Sequence, residues 1–419
     1  MLNSSDQSKG SIRSILVWGS SDIYFIASVM IAVLFGILSP DIQKQLSLDT
    51  AQLGLLGSVF FISYGAAQLV AGGFMDSLGP RLTLAASSII AACGLFLLSV
   101  VSDFKTAIPA QLLIGVGLST SYVGAIYLAG KWFPPERFSF VSGVTQMSAN
   151  IVTAALVLIM ALSGAIVGFR IVMRGMAFVT LAIGVLMFLF VRSAPARGGA
   201  SSGGVPKIGF TASMHRVVRI PQFWLGTIYF SAGFGVLMAF SNLWNIPDQL
   251  AYGHSIETAA SMNALLPLGG AFGAILAGWI SDYIGQRAIV ARVYIAGMLL
   301  MGAFLVYGPD TPTAIAFLIL LVLGFFFGGA VMGFPLVGQH VPSGLQGSAF
   351  GLMAAIAYLL SAVLQYLVGA LISGPGTPGT PAAIHDFKLA LTPLIVTLAI
   401  GFICSRWLRD PEPSSGGEG

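Results

Sequence analysis

Long apolar stretches separated by short polar breaks are the dominant pattern of this chain. A helix of about 20 apolar residues crosses the roughly 30 Å hydrocarbon layer of a membrane, and the chain contains twelve stretches of about that length. They predict an all-α membrane protein with twelve transmembrane helices. The predicted helices cover 14–39, 51–75, 82–102, 107–130, 138–163, 171–191, 222–246, 257–280, 289–307, 313–338, 347–373 and 388–408.

The longest polar break lies between the sixth and seventh predicted helices. It is rich in glycine, serine and alanine at 196–204, a composition typical of a flexible linker. The basic stretch at 214–219 could form a short amphipathic helix on the membrane surface or be a plain connector. The pattern predicts an N-terminal six-helix bundle at 1–191, a cytoplasmic linker at 192–220, a C-terminal six-helix bundle at 221–409 and a tail at 410–419.

Composition supports the membrane assignment. Hydrophobic residues make up 56% of the chain and charged residues 8%, whereas soluble domains carry about 25% charged residues. Because so few polar side chains cannot cover a water-facing surface, the lipid bilayer is the expected surrounding of most of the chain. The two cysteines and four histidines are scattered, so no metal site is expected. We also expect no cofactor, and no nucleic-acid partner because the basic residues form no single face.

Lysine and arginine are distributed unevenly among the predicted loops. Cytoplasmic loops of membrane proteins carry the excess of these residues. With the N-terminus inside, fourteen of the 19 lysines and arginines lie on the cytoplasmic side. The distribution predicts a multi-pass protein of a bacterial inner membrane with both termini in the cytoplasm. The polar N-terminus shows no signal-peptide cleavage motif, so the first apolar stretch is expected to remain as the first helix.

A pattern of glycine, aspartate and arginine occurs twice with the same internal spacing. The first copy follows the second predicted helix and the second copy follows the eighth, with every residue displaced by 206 positions. Internal duplication of this kind is characteristic of secondary transporters. The two copies are Gly72, Asp76, Gly79 and Arg81, and Gly278, Asp282, Gly285 and Arg287.

The first copy resembles the loop motif of the major facilitator superfamily, G-x3-D-[RK]-x-G-[RK]-[RK], and departs from it at Ser77 and Pro80. Its D-x-x-G-P-R form is similar to the organic-anion branches, including oxalate/formate and monocarboxylate carriers. The stretches at 51–58 and 131–138 are similar to bacterial members related to a lysosomal dipeptide transporter. The resemblance covers nearly the whole chain. It implies two six-helix bundles related by pseudo-two-fold symmetry, and transport by alternating access.

The resemblance also implies a role for this loop. Asp76, Arg81, Glu136 and Arg137 would form an ion-pair cluster, a latch that closes the cytoplasmic side in the outward-facing state. The competing explanation is that these charges only determine membrane topology. The corresponding loop of the second half, at 338–343, lacks the charges, so the latch is expected to be asymmetric.

Polar side chains inside the predicted helices are the candidates for solute binding. Lipid exposure would cost them free energy, so they are expected to face a cavity or another helix. The resembled family lines its central cavity with the first, fourth, seventh and tenth helices, and the fifth, eighth and eleventh contribute. Hydrogen bonding between neighbouring helices is the alternative for each candidate. The substrate-binding candidates are Tyr24, Ser28, Tyr122, Gln146, Asn150, Tyr229, Asn242, Asn263, Tyr358 and Gln365.

Asp22 is an acidic residue within the first apolar stretch. A carboxylate at that depth could carry a proton or bind a cation and so couple solute movement to an ion. Alternatively, the first helix begins later, after Gly19, Ser20 and Ser21, and Asp22 is an N-cap at its polar mouth. The sequence leaves both interpretations open.

Few cationic residues lie inside the predicted helices. The resembled family often has an arginine four residues before a glycine in the fourth helix, but Gln111 occupies that place before Gly115. Arg174, one turn after Arg170, could attract an anion or extend to the membrane interface. A zwitterion, a monocarboxylate or a short peptide therefore suits the chain better than a phosphate ester.

Other classes of function lack their motifs. The chain contains no G-K-[ST] phosphate loop, no G-x-S-x-G and no H-E-x-x-H, so neither an ATP-driven pump nor an enzyme is expected. The fifth predicted helix also lacks the G-P-x-x-G-G element of drug/proton antiporters. We expect a monomeric secondary active transporter, a symporter or uniporter, for an organic anion, monocarboxylate, amino acid or dipeptide, with protons as a possible second partner. The alternative is a drug or metabolite efflux antiporter.

Overall fold

The computed structural model describes residues 12–133, 135–163, 168–192, 210–309, 311–342, 345–372 and 384–410. These residues form helices joined by short loops, and no β-strand occurs among them. Each predicted apolar stretch coincides with a helix or with consecutive helical segments. These helices are α1 Ile12–Ile37, α2 Thr50–Ser77, α3 Pro80–Val100, α4 Phe104–Trp132, α5 Pro135–Ser163, α6 Phe169–Phe190, α7 Pro221–Ala251, α8 Ile256–Ile284, α9 Arg287–Tyr307, α10 Thr313–Gly338, α11 Gln346–Ile372, and α12 Ile384–Ala390 with Thr392–Ser405. A short helix at Ser39–Gln45 connects α1 with α2.

Eleven helices are long and apolar enough to cross a membrane, counted over the described residues. The helix outside this count is α5, which coincides with the stretch predicted at 138–163. The side chains at 138–140 and 157–163 lie outside the described part of the chain. The predicted all-α membrane fold is confirmed.

Four helices depart from regular α-helical geometry, and one of them is α12, which is interrupted at Leu391 between its two segments. α4 is interrupted at Ser119, between the segments Phe104–Leu118 and Thr120–Trp132. α10 contains a tighter 3-10 turn at Gly328–Met332. α7 contains a wider π turn at Phe240–Trp244 and continues to Ala251, whereas the apolar pattern predicted an end near 246. Such irregular turns free backbone carbonyls and change the direction of side chains, and they occur often at functional sites.

A short helix occupies part of the connection between α6 and α7. It covers Phe210–Val217 and carries His215 and Arg216 in its last turn. It begins before the basic stretch expected at 214–219 and ends within it. The glycine- and serine-rich part of the expected linker, at 193–209, lies outside the described residues.

The chain forms two compact units. The first unit comprises residues 1–201, 239–264 and 361–390, and the second comprises 202–238, 265–360 and 391–419. The first unit therefore contains α1 to α6 together with the end of α7, the beginning of α8, the end of α11 and the beginning of α12. The second unit contains the remaining parts of these four helices, together with α9 and α10.

Small residues allow close helix packing within the first unit. A side chain at Gly117 of α4 would collide with the backbone of Ala91 on α3, and one at Gly184 of α6 would collide with Ser88 on α3. Close approach of this kind replaces the hydrophobic driving force, which is weak between helices in lipid. α3 is therefore held tightly between α4 and α6.

The second unit uses the same packing between α8 and α10. A side chain at Gly269 would meet the backbone of Leu321, and one at Gly273 would meet the backbone of Phe325. At the end of α12, Gly401 leaves room for Ala232 of α7. Glycine contacts thus hold the helices of each unit in place.

Candidate functional site

Asp22 lies inside α1 and is only 6% exposed. Ser148 of α5 donates a hydrogen bond of 3.0 Å to its Oδ2 atom. Its Oδ1 atom is buried and has no hydrogen-bond partner among the described residues. Because α1 already begins at Ile12, the geometry favours the interior position of Asp22 over the N-cap explanation.

A short polar network connects Asp22 with α5. Trp18 of α1 donates its indole N–H to Oγ1 of Thr145 at 3.1 Å. The hydroxyl of Ser148 lies 2.9 Å from the carbonyl oxygen of Thr145 as well as 3.0 Å from Asp22. A hydroxyl has one proton to donate, so Ser148 serves one of these two acceptors at a time. The α1–α5 contact can therefore respond to a change in the charge of Asp22.

A second polar cluster lines a cavity in the first unit. The cavity is small, with a volume of about 20 Å³. Its walls are mostly apolar, and three carboxamide side chains interrupt them: Gln111 of α4, Asn242 of α7 and Gln365 of α11. These residues are 2%, 7% and 1% exposed, respectively. The described lining residues include no ionisable side chain.

Close contacts position two of the three carboxamide residues, Asn242 and Gln365. Gly36 of α1 has no room for a side chain because it lies against the backbone carbonyl of Asn242. Gly57 of α2 likewise leaves space for the Oε1 atom of Gln365. Trp244 donates its indole N–H to the backbone oxygen of Gln365 at 3.1 Å. Asn242 and Trp244 both belong to the π turn of α7. That turn therefore positions Asn242 directly and Gln365 through the hydrogen bond from Trp244.

The structure brings together only some of the predicted solute ligands. Asn242 and Gln365 both line the cavity. Tyr24 and Tyr229, in contrast, are fully buried and donate hydrogen bonds to the carbonyl oxygens of Gly117 and Gly329 at 2.8 and 2.6 Å. Their hydroxyls therefore join neighbouring helices in this conformation.

Two further aromatic candidates rest against other rings. Tyr122 is half-buried and packs on Phe25 with 5.0 Å between ring centroids. Tyr358 is also half-buried and meets Phe234 edge to face at 5.4 Å. Neither is among the residues that line the cavity.

The remaining polar candidates lie on α1, α5 and α8. Ser28 is buried, Gln146 is exposed and Asn150 is half-buried. Asn263 donates to the backbone oxygen of Ser241 at 2.9 Å and accepts from Asn245 at 2.8 Å. Asn263 therefore connects α8 with α7.

Sequence reasoning did not select three polar residues that the structure buries. Gln111 was considered only as the replacement for a cationic residue, although a glutamine in an apolar stretch was itself a signal. Thr145 accepts the Trp18 hydrogen bond, which the sequence could not indicate. Asp248 is 3% exposed and accepts from Gln249 at 3.2 Å; it was omitted because α7 was expected to end near 246.

The repeated loop pattern has the same backbone geometry in both copies. Gly79 and Gly285 adopt positive φ angles of 82° and 71°, a region that glycine enters without steric cost. Each lies in the short connection between two helices, α2–α3 and α8–α9. The repeat is thus structural as well as sequential.

The charged residues of this pattern make different contacts in the two copies. Arg81 donates from Nε to the carbonyl oxygen of Phe188 at 2.6 Å, and its guanidinium carbon lies 4.1 Å from the Phe188 ring centroid. Arg287 forms an ion pair of 3.7 Å with Asp282. Arg137 is exposed. The side chains of Asp76 and Glu136 lie outside the described part of the chain, so the latch remains a prediction.

The two arginines of α6 lie outside the cavity. Arg170 donates to Oε1 of Gln45 at 3.0 Å and to the backbone oxygen of Ser99 at 3.3 Å. Arg174 is exposed on the helix surface, as expected for a side chain that extends toward the interface.

Curated relatives of this chain are membrane carriers. The "Probable sulfoacetate transporter SauU" of Cupriavidus necator is 26% identical, with 84% of this chain and 88% of that protein covered. The "Probable L-galactonate transporter" of Escherichia coli is 24% identical, with 88% and 85% covered. The "Oxalate:formate antiporter" of Oxalobacter formigenes is 25% identical, with 70% and 69% covered. These relatives are transporters rather than enzymes, and they confirm the resemblance to the organic-anion branches.

Solved structures support the same fold. A bacterial homologue of the human lysosomal transporter Spinster, in its inward-facing and unoccupied conformation, superimposes with a TM-score of 0.76 at 15% identity, covering 96% of this chain and 100% of that one. Residues 23–366 match the family described as the Major Facilitator Superfamily. This chain is a multi-pass membrane transporter and belongs to the major facilitator superfamily.

Proposed function

We propose that this protein is a secondary active transporter of a small organic anion in a bacterial inner membrane. The observation that carries the proposal is the similarity, over most of both chains, to relatives named for sulfoacetate and L-galactonate. The excess of lysine and arginine in alternate loops supports cytoplasmic termini. The resemblance to the family supports alternating access as the mechanism.

The cavity with Gln111, Asn242 and Gln365 is our candidate for the solute-binding site. Ligand sites combine mostly apolar walls with a few polar groups, and the lining of this cavity has that character. Its volume in this conformation is about 20 Å³, close to the room that one water needs, so the lining would have to open to admit a solute. Its three carboxamides come from α4, α7 and α11, so a bound solute would contact both sequence halves of the chain.

The contacts beside this cavity are our candidate for the outer gate. Ser58 of α2 donates to the backbone oxygen of Ala362 on α11 at 2.6 Å. Gly36 lies against Asn242, and Gly54 lies against the backbone of Gln365. With cytoplasmic termini, these are the ends of α1, α2, α7 and α11 that face outward. Outward opening would require these contacts to separate.

Asp22 is our candidate for proton coupling. Its Oδ1 atom has no hydrogen-bond partner among the described residues, and Ser148 contacts its other oxygen. A proton on Asp22 would turn an acceptor into a donor and would remove a buried charge. Since Ser148 lies on α5, protonation would change the contact between α1 and α5 during the transport cycle.

Ligand-dependent stability of the purified protein tests the proposed class of solute. A solute at about 100 times its dissociation constant adds roughly 2.7 kcal/mol to the stability of the folded state. We expect organic acids to raise the melting temperature, and amino acids, dipeptides and sugar phosphates to leave it unchanged. Counterflow of a radiolabelled acid into proteoliposomes then shows transport. Stabilisation only by amino acids or dipeptides would contradict the proposed solute class, and stabilisation only by lipophilic drugs would favour efflux.

A further inference from the structure

A group of exposed arginines lies where α7 begins and α12 ends, within the second unit. Two of them precede α7 and two follow α12, and Gln222 in the first turn of α7 donates from Nε2 to the backbone oxygen of Trp407 at 3.1 Å. This hydrogen bond brings the two stretches of chain side by side, although they are far apart in sequence. We call the four residues the α7–α12 basic patch: Arg216, Arg219, Arg406 and Arg409.

The backbone that carries two of these arginines is fixed against α9. Arg292 of α9 donates to the carbonyl oxygens of Ser405 and Leu408 at 3.0 and 2.8 Å. The carboxylate of Asp410 accepts the backbone N–H of Arg287 at 2.9 Å, at the N-terminus of α9. The residues directly after α12 are therefore held in one position, and so are the starting points of their arginine side chains.

Acidic neighbours leave the charge of the patch in place. Asp282 and Asp410 are the acidic residues that the structure describes in the second unit. Asp410 binds the N-terminus of α9, and Asp282 forms an ion pair of 3.7 Å with Arg287. None of the ion pairs among the described residues involves an arginine of the patch. Four cations close together on one surface attract an external anion.

Two tryptophans indicate where that anion is found. Trp224 and Trp407 are 41% and 57% exposed, and tryptophan is enriched at the level of the phospholipid headgroups. The guanidinium carbon of Arg406 lies 5.4 Å from the ring centroid of Phe402, one turn back along α12. Its charge is therefore directed along the membrane helix, where a headgroup phosphate can reach it.

We propose that the α7–α12 basic patch binds the phosphate of an anionic phospholipid in the cytoplasmic leaflet. In the turns before Arg406, α12 exposes Ile400 and Ile403, so the acyl chains of the same lipid can pack against apolar side chains. The bound lipid would join the connection that precedes α7 to the end of α12. This site is separate from the cavity, and its assignment to the cytoplasmic leaflet rests on the proposed orientation.

Lipid binding to the purified full-length protein tests the proposal. Native mass spectrometry measures the affinity for phosphatidylglycerol, which is anionic, and for phosphatidylcholine, which is zwitterionic. We expect the wild-type protein to prefer phosphatidylglycerol. An arginine near the membrane surface contributes about fivefold to the attraction of an anionic lipid. The double variant Arg219→Gln/Arg406→Gln should therefore reduce the preference by about 25-fold, and each single variant should reduce it by about fivefold.

Two control variants separate the patch from net charge and from side-chain size. Lys44→Gln/Lys105→Gln removes the same number of positive charges from exposed lysines on the opposite predicted face and should keep the wild-type preference. Arg219→Lys/Arg406→Lys retains the charges of the patch and should keep most of the preference. All of these side chains are exposed, so equal melting temperatures of the variants are expected.

Loss of the preference in the glutamine variant, with the preference kept in both controls, supports the proposal. No wild-type preference, an unchanged preference in the glutamine variant, or an equal loss in either control overturns it. Displacement of the lipid by glycerol 3-phosphate at a similar concentration also overturns it, because the patch would then bind a soluble anion. None of these outcomes bears on the class of solute, which is tested separately.

Discussion

The first and fourth helices of each sequence half meet through the same hydrogen bond. In the first half, Tyr24 of α1 donates to the carbonyl oxygen of Gly117 in α4. In the second half, Tyr229 of α7 donates to the carbonyl oxygen of Gly329 in α10. Gly117 lies next to the interruption of α4, and Gly329 lies in the 3-10 turn of α10.

The residues beside these two tyrosines differ. Asp22 precedes Tyr24 by two positions, and Thr227 precedes Tyr229 by two positions. The carboxylate of Asp22 contacts Ser148, whereas the buried hydroxyl of Thr227 has no hydrogen-bond partner among the described residues. The duplicated scaffold is thus shared, but an ionisable group occurs in only one copy. The comparison indicates that duplication preserves the tyrosine-to-carbonyl contact between helices while the polar residues beside it diverge.

Replacing Asp22 should change transport more than any other substitution considered for the two halves. Asp22→Asn preserves the shape of the side chain but can neither gain nor lose a proton in the physiological range. We expect uptake driven by an imposed pH gradient to fall by an order of magnitude or more, because a membrane-embedded carboxylate would be the proton carrier. Exchange of solute across proteoliposomes without a gradient should continue. The measurement is initial uptake against external pH.

Thr227→Val is the matched control in the second half. It removes a buried hydroxyl without a described partner, so it should leave stability unchanged or slightly improved and the pH profile of uptake unaltered. If Asp22→Asn keeps the wild-type pH profile, or if Thr227→Val changes it as strongly, proton coupling does not depend on the carboxylate of α1.

The two tyrosine hydrogen bonds offer a second, smaller test of symmetry. Removing either hydroxyl leaves a buried carbonyl without its partner, at a cost of about 1–3 kcal/mol. Thr120 Oγ1 lies 3.5 Å from the Gly117 carbonyl and can approach it when the tyrosine hydroxyl is missing. We therefore expect Tyr24→Phe to destabilise the protein less than Tyr229→Phe does. Thermal unfolding in detergent measures both variants.

Tyr307→Phe provides the baseline for this pair. Tyr307 is 52% exposed and bonds Thr392 at 2.9 Å, so solvent can replace the lost hydrogen bond and little change is expected. Destabilisation by Tyr307→Phe as large as that by Tyr229→Phe would show that burial of the accepting glycine is not the cause.

The apolar pattern and the repeated loop were sufficient to predict the helices and their family. Membrane helices satisfy their backbone polar groups internally, so local hydrophobicity identifies them without knowledge of their neighbours. The repeat in sequence also has a counterpart in the backbone, since Gly79 and Gly285 both adopt positive φ angles that glycine enters without steric cost.

The site required information that local patterns do not contain. Which polar residues converge depends on the π turn at Phe240–Trp244 and on the close approach of Gly36 to Asn242. Neither is visible in hydropathy. Tyr24 and Tyr229 were equally good solute ligands by sequence, because a buried hydroxyl can face a cavity or a carbonyl of another helix. Gln111 joined the candidates only when its cavity was known.

Lysine substitutions of the loop arginines should give the smallest difference in stability between the two halves. Arg81 stacks on Phe188 and donates to its carbonyl oxygen, and lysine has neither the planar group nor the Nε donor for this contact. Arg81→Lys should therefore cost about 0.5–1 kcal/mol. The side chain of Arg287 forms an ion pair with Asp282, whose side chain is 75% exposed. The lysine variant of Arg287 should be nearly neutral because exposed pairs contribute about 0–1 kcal/mol.

Salt distinguishes the two contacts in the same unfolding experiment. Screening weakens exposed ion pairs more than contacts that also involve packing and a backbone hydrogen bond. The difference between wild type and Arg81→Lys should therefore persist at 1 M salt (a Debye length of about 3 Å), while any small effect of Arg287→Lys should vanish. Equal shifts of the melting temperature for the two variants at both salt concentrations would mean that the loop arginines perform the same structural role in both halves. The difference between the halves would then lie in the carboxylate of α1 and not in the loops.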